Sequence, residues 1–364
     1  MNVEKHPANQ HYQLGLQSEQ RGDLAAAETA YRRAVKLAPN FMEAQANLGG
    51  VLQAQGRLKE AQVAFRKALK LSPRHPYLLN NLGYLLLNQG EFAKAVSLLE
   101  AAVEAASDFM LAWVNLGHAK RALEDDKAAE ACYRKAVGLA PGQIDPLLNL
   151  AGFFNAVSEF QQAEQWFLKA LELEPNRSDI IKSLAATLSN KGDTEAALQR
   201  YEQLLNQTPD DDSAWVSRGN TLADAGRMDE AKAAYARASS LNPTNTRAIF
   251  GAARLTRFKE DASMLETMES LLKGKSLSDD SRVDLRFALA QAHEELENYQ
   301  LAFEHLREGG RIKRRELKAH FAGDLAMPAR AAAAFTSDVF DRLTGMGCDD
   351  QTPVFILGMP RSGT

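Results

Sequence analysis

The sequence predicts an all-α solenoid in which one helical hairpin is copied along most of the chain. Three observations predict it. A Pro or Ser recurs at one fixed spacing, at Pro39, Pro73, Ser107, Pro141, Pro175, Pro209 and Pro243. Between these positions apolar residues repeat every three and four residues, in two runs per copy, as two amphipathic helices require. A Gly separates the two runs in most copies (Gly22, Gly56, Gly90, Gly192 and Gly226), where a left-handed residue ends the first helix.

Counted back from that Pro or Ser, the copies start at Ala8, Met42, Pro76, Met110, Ile144, Ser178 and Asp212. Fixed slots then hold fixed residue types. Slot seven is Leu14, Leu48, Leu82, Leu116, Leu150, Leu184 and then Arg218. Slot eight is small: Gly15, Gly49, Gly83, Gly117, Ala151, Ala185 and Gly219. Slot twenty is always Ala, and slot twenty-four is large: Tyr31, Phe65, Leu99, Tyr133, Phe167, Tyr201 and Tyr235. Small residues at slots eight and twenty let the two backbones approach, and the large side chain is expected to fill the gap to the next pair. The closing Pro ends the second helix.

Slot by slot, this pattern resembles the tetratricopeptide repeat, over seven copies spanning 8–245. The resemblance implies a right-handed solenoid with a concave groove lined by the first helices. Residues 246–282 keep the pattern weakly, in Ile249, Ala252, Ala253 and Leu265, as a degenerate copy. Residues 283–312 recover it, and the basic run 311–320 extends the last helix, so that 246–320 holds the degenerate and final repeats. Positive charge suits a helix C-terminus. Residues 321–352 read as a linker with one helix near Ala331 to Leu343.

Slot six faces the groove in this family. Here it holds Asn47, Asn81, Asn115 and Asn149 in four consecutive copies. An amide both donates and accepts, so a ladder of amides can hold an extended peptide by its backbone. The arrangement looks like the asparagine ladder in the repeat arm of O-linked N-acetylglucosamine transferase. A second reading has each Asn bond the neighbouring helix instead; the pattern alone leaves both open.

The chain ends in PVFILGMPRSGT. Val354 to Leu357 is an apolar run of the kind found in buried parallel strands, and a Gly-rich turn follows. Such a turn, opening a helix, binds phosphate through backbone N–H groups. The P-loop lysine is absent and Thr364 stands in its place, which argues against a nucleoside triphosphatase. The turn resembles the 5′-phosphosulfate loop of sulfotransferases that use 3′-phosphoadenosine-5′-phosphosulfate (PAPS), joined to repeats as in bacterial tetratricopeptide-sulfotransferase fusions. That resemblance implies PAPS as the sulfuryl donor. It also implies that Pro360, Arg361, Ser362, Gly363 and Thr364 bind the donor, with Arg361 the catalytic group that stabilises charge as the bond to sulfur breaks. Residues 353–364 would be the first strand and phosphate loop of a truncated α/β domain, and the chain as given would be inactive. The alternative function is a non-catalytic scaffold for protein–protein interaction.

Bulk properties narrow the partners. The 364 residues are 45% hydrophobic and 25% charged, as in an ordinary globular protein. A net charge of -4 gives no general attraction to nucleic acid. Cys132 and Cys348 are the only cysteines, too few for a disulfide framework or a metal cluster, and no metal is expected. No apolar run reaches spanning length, and the start MNVEKHPANQ lacks a leader's apolar core. The expected setting is cytoplasmic, with an extended peptide or protein in the groove and neither nucleic acid nor membrane as a partner.

Overall fold

In a computed structural model of the chain, residues 7–274 and 277–320 are described, side chains to 315. The expected strand at Val354–Leu357, the donor loop Pro360–Thr364 and the linker helix near Ala331 lie outside the described residues. Within them there are 18 helices and no strand. The chain divides into two compact units, one ending at Leu241 and the other starting at Asn242.

The first unit is seven hairpins. They are α1 (Pro7–Gln20) with α2 (Leu24–Leu37), α3 (Met42–Ala54) with α4 (Leu58–Leu71), and α5 (Pro76–Asn88) with α6 (Phe92–Ala105). Then come α7 (Met110–Ala122) with α8 (Asp126–Leu139), and α9 (Ile144–Ala156) with α10 (Phe160–Leu173). The last two are α11 (Ser178–Lys191) with α12 (Thr194–Gln207), and α13 (Asp212–Asp224) with α14 (Met228–Leu241). Each first helix packs on its own second helix and, from α3 on, on the second helix of the preceding hairpin.

The slots explain the packing. All seven slot-twenty alanines are fully buried, and so, almost completely, are the seven large residues of slot twenty-four. The large residue reaches the next pair, as expected: the Tyr133 ring lies 5.5 Å from that of Phe153, and the Tyr31 hydroxyl lies 3.3 Å from Asn47 Nδ2. It also lies across slot eight of its own hairpin. A Cβ added at Gly49 would stand 2.7 Å from Phe65, and one at Gly117 would stand 2.7 Å from Tyr133. Slot seven packs on the preceding hairpin, so Leu48 to Leu184 are buried while Leu14, on the first described helix, is 51% exposed.

All five turn glycines have φ between 76° and 87°. The two copies without Gly fold the same way. Glu124 (φ 61°) and Ser158 (φ 63°) occupy that slot in the left-handed region, against the preference of a residue with a Cβ. Glu124→Gly and Ser158→Gly are each expected to stabilise the unit by about 1 kcal/mol. Thermal unfolding of the single variants checks this, with Gly90→Ala as the control of opposite sign.

Five of the seven second helices start in one of two ways, while α6 and α10 start at Glu91 and Glu159 with no side-chain cap. Asp23, Asp125 and Asp193 cap theirs through the side chain, at 2.9, 3.1 and 3.4 Å. Arg57 and Arg227 hold the same slot and instead bind a glutamate three residues on and another on the preceding hairpin: Glu60 and Glu28 for Arg57, Glu230 and Glu195 for Arg227.

The second unit holds α15 (Thr246–Ala253), α16 (Ser263–Leu272), α17 (Asp279–Glu295) and α18 (Tyr299–His320). Ile249, Phe258, Met268, Leu285 and Leu289 share its core. Two cations of the basic run, Lys313 and Arg315, pair with Asp280 and Asp279 in the first turn of α17, at 3.5 and 2.6 Å.

Candidate functional site

Three of the four slot-six amides bond to neighbouring helices, and Asn81 bonds to Asn80 on its own helix. Asn47 Nδ2 lies 3.3 Å from the Tyr31 hydroxyl and 3.4 Å from that of Tyr12, one hairpin earlier. Asn115 Nδ2 donates to Asn80 Oδ1 at 2.8 Å, and Asn80 Nδ2 donates to Asn81 Oδ1 at 3.2 Å. Asn149 Oδ1 meets His118 Nε2 at 3.0 Å, while its Nδ2 donates to the Asp145 carbonyl at 2.8 Å. Asn115 is only 5% exposed, whereas Asn47, Asn81 and Asn149 are half-buried and keep an edge on the first-helix face.

Tyrosine tips join this network. The slot-twenty-four ring crosses the hairpin, and its hydroxyl emerges among first-helix side chains, an apolar body with a polar handle. Tyr31 donates to Glu19, Tyr235 donates to Asn220 at 2.7 Å, and the Tyr133 hydroxyl lies 2.9 Å from His118 Nδ1. The last contact completes a relay. Asn149 uses its N–H on Asp145 and so offers His118 an oxygen; Nε2 therefore carries the proton, and Nδ1 accepts from Tyr133. Burial holds the His118 pKa below its usual value and Arg121 adds to this, against the Asn149 hydrogen bond. The relay is built for neutral imidazole.

The same face opens into a pocket of about 500 Å³ between α9 and α11. Leu148 and the Phe167 ring make its apolar side, and Asn155, Asn190, Ser183 and Asp179 its polar side. Asn155 Oδ1 is buried with no hydrogen-bond partner among the described residues. The Ser183 hydroxyl is spent on the Asp179 carbonyl at 2.8 Å. Arg177 binds the Asp179 carboxylate at 2.9 Å and holds its pKa below the ordinary carboxylate range.

None of Asn47, Asn81, Asn115 and Asn149 lines this pocket, and of the slot-six residues only Ser183 does. Asn155 and Asn190 were not singled out from the sequence. They sit in slots twelve and thirteen, beyond slot six on the first helix, and their offset by one position hides them from a search for strict period. Arg361 and the other donor-loop residues lie outside the described residues.

Among the described residues no group of three or more His, Cys, Asp or Glu could hold a metal ion. No described helix is long and apolar enough to cross a membrane. Cys132 is buried in α8, and burial pushes its thiol up to about 11.

Profiles of the tetratricopeptide repeat match residues 11–41, 40–108, 80–144, 166–199 and 184–246. A protein of Aquifex aeolicus, described only as uncharacterized, is 29% identical over 126 residues, which is 35% of this chain; the match spans 17% of that relative's length. A tetratricopeptide repeat protein from Parabacteroides merdae superposes with a TM-score of 0.53 at 18% identity, covering 68% of this chain and 98% of its own. PilW, described as a type IV pilus biogenesis factor, gives 0.52 at 21% identity, over 56% of this chain and 94% of its own. Pseudomonas aeruginosa pilF gives 0.50 at 23%, over 60% and 97%. At such identities the likeness is one of fold.

Proposed function

We propose that this chain, which belongs to the tetratricopeptide-repeat proteins, is a docking scaffold that holds an extended segment of a partner protein against its first-helix face. The observation that carries this reading is the Asn155 carbonyl oxygen, buried and unpaired beside the apolar wall of Leu148 and Phe167. A buried acceptor without a partner costs about 1–3 kcal/mol, which a peptide N–H would recover once the Asn155 amide turns into the pocket to meet it. The apolar wall takes a side chain, and Asn190 offers a further amide for the backbone. Asn47, Asn81 and Asn149 would continue the contact along the face, with Asn115 beneath holding Asn80 in place.

The test is a peptide selected from a random display library against the whole protein and then titrated by fluorescence anisotropy. Asn155→Ala with Asn190→Ala is expected to weaken binding by about tenfold or more, with the unfolding midpoint unchanged or raised, since the unpaired acceptor is removed. Selection of no peptide, or equal affinity for the variant, overturns the reading.

A second reading is favoured by Pro360-Arg361-Ser362-Gly363-Thr364. In it the scaffold serves a sulfotransferase domain, Arg361 assists departure of the sulfuryl group from PAPS, and the segment held on the repeats carries the acceptor hydroxyl. The gene sequence after the Thr364 codon tests it. A helix start and further α/β sequence are expected, and a stop codon overturns it.

A further inference from the structure

A second concavity lies among the second helices. A trough of about 440 Å³ runs between α2 and α4, floored by Leu48 and Leu52 of α3. Val35 and Ala64 form its sides, and Val63, 54% exposed, is its lip. The slots explain the opening. In the fifth copy, slots four and twenty-three hold Leu147 and Trp166; in the second copy they hold Gln45 and Ala64. The trough lies where bulk is missing. It shares no lining residue with the α9–α11 pocket.

The charges around it are unbalanced. Arg32 and Arg57 each bind both Glu28 and Glu60, at 2.7 to 2.9 Å, and the four charges cancel. Lys36, Lys59 and Lys67 also line the trough, are exposed, and join no ion pair among the described residues. Lys59, Val63 and Lys67 follow one another at four-residue spacing on one stripe of α4, and Lys36 faces them from α2.

We propose that this trough is a separate docking surface for an amphipathic helix of a partner protein, with an apolar ridge of Leu- or Phe-sized side chains flanked by Asp and Glu. Two flanking helices with an apolar floor suit the helix-in-groove mode. The three unopposed lysines select acidic flanks, which steer encounter and fix register. A second copy of the chain is the wrong occupant. In a two-fold contact the same patch meets itself, and the lysines would face lysines.

The experiment uses the full chain and a fluorescent synthetic peptide of about 15 residues, with Leu and Phe at helical spacing and Asp and Glu between them. Anisotropy titration is expected to show saturable binding that weakens as salt is added. Lys59→Glu with Lys67→Glu is expected to weaken it at least about tenfold, Val63→Asp likewise, and Lys59→Gln with Lys67→Gln by less. A peptide with Lys in place of the acids is expected to bind at least about tenfold more weakly. Asn155→Ala with Asn190→Ala should leave this affinity unchanged, which separates the trough from the first-helix face. All substituted side chains are exposed or line a cavity, so circular dichroism should show folded variants. Three results would each overturn the proposal: equal binding of acidic and basic peptides, indifference to charge reversal, or self-association of the chain that Val63→Asp dissolves.

Discussion

Phe65→Ala is expected to destabilise the first unit by about 3–5 kcal/mol. The ring is fully buried and packs closely on Gly49, among Leu48, Leu52, Ala61 and Ala68. Gly49 offers no side chain to fill the space left behind, so a cavity term adds to the lost transfer energy. In a linear array each hairpin rests only on its neighbours. The loss should therefore concentrate in α3, α4 and the hairpins beside them. Urea unfolding followed by circular dichroism measures the total, and hydrogen exchange should show α3–α4 amides opening before those of α13–α14. A loss below about 1 kcal/mol would show that the site collapses around the missing ring.

Gly117→Val attacks the same contact from the other side, with an expected cost of about 3 kcal/mol. The first added carbon would already stand 2.7 Å from the Tyr133 ring. Ala151 and Ala185 fill this slot opposite Phe167 and Tyr201, so one methyl can be accommodated when the ring shifts. A branched side chain asks for more, and Tyr133 is tethered by its hydroxyl to His118 Nδ1. The variant should thus lose the Tyr133–His118–Asn149 relay as well as packing, and the imidazole resonances in NMR would report it. Gly50→Ala is the control. A Cβ there meets nothing within 4 Å, and the change should stabilise by about 0.5–1 kcal/mol. Equal stability of Gly117→Val and the parent would refute the close-packed account of slot eight.

Period and residue size made most of the first unit legible in the sequence. Ala at slot twenty and Gly at the turn each have one physical job, and it shows in one copy as in seven. Two features were hidden for identifiable reasons. The slot-six amides bond across copies: Asn115 reaches Asn80, and Asn149 reaches His118. Such bonds depend on what stands in slots five and nine of the preceding copy, which do not repeat. Glu124 and Ser158 adopt a glycine conformation because the helices on either side of each turn pack as they do in the other copies, so tertiary packing overrides local preference. The α9–α11 pocket was illegible for the opposite reason. It exists where the repeat is irregular, with Gly152 and Ala186 leaving space beside Asn155 and Asn190.

The shut-in thiol of Cys132 gives the fourth hairpin a chemical indifference. Oxidants, disulfide exchange and electrophiles all act on the thiolate, and a thiol with so high a pKa supplies almost none near neutrality. Cys132 should therefore react slowly with peroxides and disulfides for as long as the fourth hairpin stays folded around it.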